Sequence, residues 1–173
     1  NASLLAEYLG NDLSKVDNEL SKLAMILKAG GEITAQTIED HIGISKDYNV
    51  FELQNAISAK NQEAAYKIAY YFGKNEKAHP FVLTLGFLFS YFSKVSVVAF
   101  SKNKGNDNAL AKEAGISPYF IKDYKNAARN YSPTKLVKIV KHLKEYDLKS
   151  KGVNNTSASH NDLLKELLFK ILN

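Results

Sequence analysis

The chain has 173 residues, of which 45% are hydrophobic, and its formal net charge is +5. This size and composition allow one medium or two small domains with a buried core, so wholesale disorder is excluded. The sequence contains no cysteine, which excludes disulfides, thiolate zinc sites and cysteine nucleophiles and is typical of a reducing cytosol. We therefore expect a cytoplasmic protein. There is no N-terminal Met and no signal-peptide pattern, and we expect the chain to be a segment of a longer protein.

Charge is distributed unevenly along the chain. Residues 1–50 carry four lysines against eight acidic residues, whereas residues 51–173 carry 19 basic against 10 acidic residues. Such asymmetry predicts two units, the second with a basic surface for a partner such as nucleic acid. A lysine-rich solvated surface explains the same composition, since 22 of the 23 basic residues are lysine.

Apolar periodicity and helix-end signals predict helices throughout, and no strand-like alternation is present. All three prolines stand where a first helical turn tolerates them, after His79, Ser117 and Ser132. The predicted helices span residues 3–9, 13–28, 34–42, 62–72, 80–102, 109–114, 118–129, 133–149 and 162–172, with a further helix capped by Asn49. Residues 43–47 are the best candidate for a boundary between two domains. We predict an all-α fold, a small helical unit at 1–45 followed by a larger bundle at 48–173.

The predicted helix after Pro80 is long and apolar enough to raise the question of a membrane span. Residues 81–100 contain one charged residue, Lys94. The polar and small residues of this helix fall on a single stripe, comprising Gly86, Ser90, Ser93, Lys94 and Ser101. Since a lysine near the middle of a span would cost roughly 2.5–3.5 kcal/mol, we predict a core helix of a soluble bundle and no membrane.

Catalytic and metal-binding patterns are missing from the sequence. Gly30 and Gly31 have no Gly-Lys-Ser/Thr after them, so they do not form a phosphate-binding loop. The histidines at 41, 79, 142 and 160 form no i, i+4 pair and no cluster with acidic residues. We expect no catalytic residue, no cofactor and no metal.

Residues 109–129 have the spacing of a helix-turn-helix, with Gly115 at the turn. A recognition helix should begin with Arg, Asn or Gln side chains that read base edges, but this one begins with Pro118, Tyr119 and Phe120. An apolar start favours a packed helical corner. A DNA-binding regulator that uses residues 109–129 remains the alternative.

Asp147 continues the apolar stripe of Leu136, Val140 and Leu143 on the predicted helix 133–149. A buried carboxylate needs a partner. Arg129, the only arginine, precedes this helix and offers bidentate geometry. We predict a structural Arg129–Asp147 pair, with an exposed Asp147 at a fraying helix end as the alternative.

The chain resembles the delta subunit of bacterial DNA polymerase III, a clamp-loader family, in three successive stretches. These are Leu9–Ile26, Asp47–Ile68 and Leu110–Gly152. The resemblance implies that residues 1–45 are later helices of a lid of the AAA+ type and that residues 48–173 are a collar. The collar would assemble with the other clamp-loader subunits. The sliding clamp would be gripped only by an N-terminal domain outside this chain, and the fragment would bind no ATP.

Under this resemblance we expect two partner surfaces. The expected subunit interface is apolar and comprises Phe81, Phe87, Phe89, Leu163, Leu167 and Ile171. The expected contact with primer-template DNA is sequence-neutral and comprises Lys138, Lys141, Lys144, Tyr146, Lys149 and Lys151, with the tyrosine as a stacking group. The alternative for the lysines is a solvated helix face.

Overall fold

The computed structural model describes residues 13–27, 31–34, 37–38, 48–155 and 157–173. Every regular element within these residues is helical, which confirms the predicted all-α class. The chain divides into two compact units, Asn1–Asp47 and Tyr48–Asn173, here called the N-terminal and C-terminal units. The helix predicted at residues 3–9 and the predicted boundary at 43–47 lie outside the described residues.

The N-terminal unit contains helix α1, Leu13–Ile26. Leu23 is fully buried, whereas Leu13 is 81% exposed. Thr34 Oγ1 accepts a hydrogen bond of 3.1 Å from the backbone N–H of Thr37, the N-cap contact that the sequence predicts. Ile38, one residue later, is fully buried.

The C-terminal unit is a bundle whose helices follow one another through short connections. They are α2 (Val50–Ser58), α3 (Gln62–Lys74), α4 (Phe81–Phe100), α5 (Asp107–Ala114), a 3-10 turn (Pro118–Phe120), α6 (Ile121–Asn130), α7 (Pro133–Ser150) and α8 (His160–Leu172). The sequence therefore predicted every helix of this unit, with ends that differ by a few residues.

The helix starts are set locally by polar side chains. Asn49 Oδ1 accepts hydrogen bonds from the N–H groups of Phe51 and Glu52, and the Glu52 carboxylate accepts from the N–H of Asn49. This capping box satisfies donors that a helix start leaves free. Similar side-chain caps stand at Asn61, Asn106, Ser132 and Ser159.

Helix α4 is the central element of the C-terminal unit. It packs against α5, α6 and α7 and also contacts α2, while α8 packs on α3 and α7. Leu88, Phe92 and Val95 are fully buried. By length and composition α4 could cross a membrane, but it packs against several helices of the unit and eight of its 20 residues are buried, as the sequence predicted for a core helix.

The uncovered side of α4 differs from the predicted polar stripe. Ser101 is buried, and its hydroxyl donates a 2.7 Å hydrogen bond to the Glu113 carboxylate. Gly86 and Ser90 are exposed as predicted, but they share this side with exposed apolar residues. The predicted stripe, which was defined only by polar and small residues, therefore did not predict that this side of α4 also exposes apolar residues.

Candidate interaction surfaces

Helix α7 buries a different stripe from the one that the sequence predicted. Its buried residues are Leu136, Ile139, Leu143 and Tyr146. Spacings of three, four and three place them on one face, and Tyr146 takes the position that was assigned to Asp147. Asp147 has a side chain 40% exposed, and its carboxylate pairs with Lys151 Nζ at 2.7 Å.

The predicted Arg129–Asp147 pair is wrong. Arg129 lies at the end of α6, and its Nη1 donates to Asn126 Oδ1 at 3.3 Å on the protein surface. Helix α7 begins at Pro133, so Asp147 is about 21 Å along the helix axis at about 1.5 Å per residue. An arginine side chain cannot span that length.

Other side chains fix the corner between α6 and α7. The hydroxyl of Tyr131, a fully buried residue, donates a 2.6 Å hydrogen bond to the Ile57 carbonyl. Asn130 Nδ2 donates a 2.7 Å bond to the Ser58 carbonyl. Both bonds end on the last turn of α2, where carbonyls lack helical partners. The sequence gives only a weak signal for this contact, a Tyr just before a Ser-Pro helix start.

Tyr146 is fully buried, so the prediction that it stacks on a DNA base is wrong. Lys149 Nζ lies 4.5 Å and Lys170 Nζ 5.5 Å from the centre of its ring. Burial and the neighbouring carboxylates of Glu166 and Glu145 raise the pKa of Tyr146. The residue is part of the α7–α8 packing and is not available to a base.

The predicted DNA-facing lysines separate into two groups. Lys149 pairs with Glu145 at 3.2 Å and with Glu166 at 3.8 Å, and Lys151 pairs with Asp147. The other three, here called the lysine face, are Lys138, Lys141 and Lys144. They are exposed, and none has a carboxylate partner within the described part of the chain.

Four of the six predicted interface residues serve the core of the chain itself. The exposed fractions are 4% for Phe81, 1% for Leu163 and 0% for Leu167 and Ile171. They fill the space between α8, α3, α4 and α7, so the prediction that they meet a partner is wrong. Phe87 is half-buried against Phe51, with ring centres 4.9 Å apart.

An apolar patch remains open on the uncovered side of α4. Val82 is 45%, Leu83 70% and Phe89 48% exposed. Gly86 lies between them at helical spacing, and nothing lies within 4 Å of where its Cβ would stand. We call these four residues the α4 patch. Clustered exposed Leu and Phe side chains are typical of a surface that binds another protein.

The predicted turn at Gly115 has left-handed backbone geometry, with φ of 62°. Pro118–Phe120, however, form a 3-10 turn where a recognition helix would begin. Ile121 and Tyr124 are buried and pack the following helix, α6, against the bundle. The segment has the geometry of a packed corner.

A cavity of about 100 Å³ lies between α3, α4 and α8. His79 stacks on Phe72 with ring centres 4.2 Å apart, and His160 lies 5.5 Å from Phe81. Both histidines therefore pack against aromatic rings at the cavity. The residues that the structure describes contain no group of three metal-ligating side chains.

Comparison with known proteins decides the family. Residues 47–170 match the sequence model of "DNA polymerase III delta subunit, C-terminal domain". The chain belongs to the DNA polymerase III delta subunit family. This confirms the resemblance found in the sequence and does not favour a helix-turn-helix regulator.

A solved structure gives the same fold for the delta-family chain. The Bacillus subtilis DNA clamp loader delta protein (YqeN) superposes with a TM-score of 0.67 at 22% sequence identity. The match covers 99% of this chain and 49% of that protein, so the chain spans about half the length of its structural relative. No curated protein matches the sequence.

Proposed function

We propose that this delta-family chain is a non-catalytic assembly module of a cytoplasmic replication clamp loader. Residues 48–173 act as a collar that binds the other loader subunits, and residues 1–45 are part of a helical lid. Contact with the sliding clamp belongs to an N-terminal domain outside this chain. Membership of the delta family and the exposed α4 patch support this proposal.

The α4 patch carries the assembly proposal. Burying a Leu, Val or Phe side chain completely contributes about 1.5–3 kcal/mol, so covering this patch is a substantial part of a protein–protein affinity. Leu83 and Phe89 project on either side of Gly86, which leaves space for a partner side chain between them. We expect the partner surface to be apolar at its centre.

The test is binding of the chain to the remaining loader subunits. We expect Leu83→Ser with Phe89→Ser to weaken the complex at least tenfold, because an apolar contact is replaced by exposed hydroxyls. Leu148→Ser with Phe169→Ser is the matched control, since Leu148 is 42% and Phe169 58% exposed on other helices. Equal affinity of both variants and the parent chain would rule out the α4 patch as the interface.

A second role is supported by the lysine face. Lys138, Lys141 and Lys144 offer charges that no described carboxylate neutralises. Such a row suits contacts with the phosphates of primer-template DNA, which position a strand without reading its sequence. We expect binding that weakens steeply as salt concentration rises and that does not depend on sequence.

A further inference from the structure

Three lysines from two distant parts of the sequence surround the start of α7. Lys135 lies in the first turn of α7, and Lys138 follows one turn later. Lys60 comes from the connection between α2 and α3, and its Nζ lies 5.0 Å from the centre of the Tyr131 ring. Tyr131 directly precedes the N-cap Ser132, so Lys60 approaches the N-terminal end of α7. We call Lys60, Lys135 and Lys138 the lysine cluster.

The position of Lys135 within the cluster is fixed. Its Nζ donates a 2.8 Å hydrogen bond to the Lys170 carbonyl near the end of α8. Partial burial lowers the pKa of Lys135, and the charges of Lys138 and Lys60 lower it further. The position of Lys60 over the Tyr131 ring and the one-turn spacing of Lys135 and Lys138 place the three charges at the same end of α7.

No carboxylate among the described residues pairs with these three lysines, although the Lys170 carbonyl accepts from Lys135 and the Tyr131 ring faces Lys60. By contrast, carboxylates pair with Lys149, Lys151 and Lys170. An anion that binds among like charges relieves their mutual repulsion, most strongly at low salt. The positive end of the α7 dipole adds to the same field.

We propose that the lysine cluster binds a backbone phosphate of a nucleic acid strand that continues along the lysine face. The inference rests on the proposed nucleic-acid contact and extends it from α7 to the α2–α3 connection. Lys138 belongs to both groups. From Lys138 to Lys144 the row extends about 9 Å along α7, so it continues well beyond a single phosphate group. A small phosphate ligand would need only the cluster.

The test is fluorescence anisotropy of a labelled primer-template DNA with the whole chain at several salt concentrations. Lys60→Gln should weaken binding roughly threefold or more and reduce the salt slope by about 0.7–0.9, the value for one phosphate contact. Lys104→Gln is the matched control, because it removes one exposed charge from the loop between α4 and α5. Circular dichroism of each variant verifies folding.

The outcomes separate the two proposals. Loss of affinity in Lys60→Gln with an unchanged Lys104→Gln supports the lysine cluster. Loss in Lys141→Gln with no loss in Lys60→Gln overturns the cluster while the lysine face stands. If neither Lys60→Gln nor Lys141→Gln loses affinity for DNA, the lysine cluster and the lysine face are both wrong as DNA contacts. If Lys60→Gln weakens only the binding of pyrophosphate, measured by calorimetry, the ligand is a small anion and the inference is wrong.

Discussion

Tyr131 joins the α6–α7 corner to the end of α2 through one hydroxyl. The hydroxyl donates to the Ile57 carbonyl, which also accepts a 2.9 Å bond from the N–H of Lys60. Removal of the hydroxyl therefore leaves the carbonyl with one partner. We expect Tyr131→Phe to lower the free energy of unfolding by about 0.5–1.5 kcal/mol, the ordinary range for one hydrogen bond.

Urea unfolding at neutral pH measures this change. Tyr70→Phe is the control, because Tyr70 is 58% exposed. That variant should stay within about 0.5 kcal/mol of the parent, as surface substitutions usually do. A loss for Tyr131→Phe no larger than that of the control would contradict the structural role of this hydroxyl.

Alkaline pH should destabilise the chain through its buried tyrosines. Burial raises the pKa of Tyr91 to about 12, although its hydrogen bond with Ser58 acts in the opposite direction. The unfolded phenol loses its proton near pH 10, before the folded one does. The unfolded state then binds fewer protons, so the stability present below pH 10 is lost as pH rises toward 12.

The slope of unfolding free energy against pH measures this effect. We expect Tyr91→Phe to show a shallower decline between pH 10 and 11.5 than the parent chain, because one raised phenol pKa has been removed. Urea titrations at half-unit pH intervals provide the data. Identical slopes for the two proteins would show that Tyr91 does not contribute.

At the level of elements, Gly73 lets α3 and α8 approach closely. The sequence predicted a helix that ends at residue 72, just before Gly73, but α3 continues to Lys74. A Cβ on Gly73 would lie 2.3 Å from side-chain atoms of Asn161 at the start of α8. We expect Gly73→Ala to destabilise the chain by about 1 kcal/mol, because the end of the Asn161 side chain must move aside.

Two further variants give this prediction its controls. Gly86→Ala on α4 should stabilise the chain by about 0.5–1 kcal/mol, because its Cβ meets nothing and alanine restricts the unfolded chain. Adding Asn161→Ala to Gly73→Ala should recover most of the loss, since the obstructing side chain is gone. Thermal unfolding of the four proteins measures both effects. A double variant that is no more stable than Gly73→Ala would show that Asn161 does not obstruct the added methyl group.

Local signals were sufficient to predict where elements begin. Capping acts over three residues, so Asn49, Asn61 and Ser132 could be assigned as helix starts from sequence. The sequence could not predict that Tyr146, and not Asp147, lies on the buried face of α7, because packing against α8 decides which residue is buried. Because Asp147 is not on the buried face, it does not need the buried ion pair with Arg129 that was predicted for it.

The surfaces were predicted less well than the elements. Leu163 and Ile171 have the apolar spacing of an interface, and only the positions of α3 and α7 show that they are covered. The exposure of Lys138, Lys141 and Lys144 could be predicted because the three lysines lie on one helix, whereas their contact with DNA stays a prediction. Lys60 was missed, since 75 positions of sequence separate it from Lys135 and only the fold brings them together.

At the scale of the whole molecule, the described residues of the C-terminal unit form one continuous hydrophobic core. The cluster of buried residues runs from Leu53 to Leu172 and includes side chains from each of its helices. The two proposed partner surfaces, the α4 patch and the lysine face, lie on different helices of the same unit. Assembly and nucleic-acid contact should therefore be separable by mutation.

The continuous core of the C-terminal unit predicts that residues 48–173 fold without the N-terminal unit. We expect this fragment to unfold cooperatively at a midpoint within a few degrees of the whole chain, because the buried cluster stays intact. Circular dichroism during heating measures the midpoint. Leu88→Ala in the fragment tests cooperativity: Leu88 is fully buried, and its truncation should cost about 2–5 kcal/mol and lower the midpoint clearly. A broad transition that Leu88→Ala leaves unchanged would mean that the C-terminal unit has no core of its own.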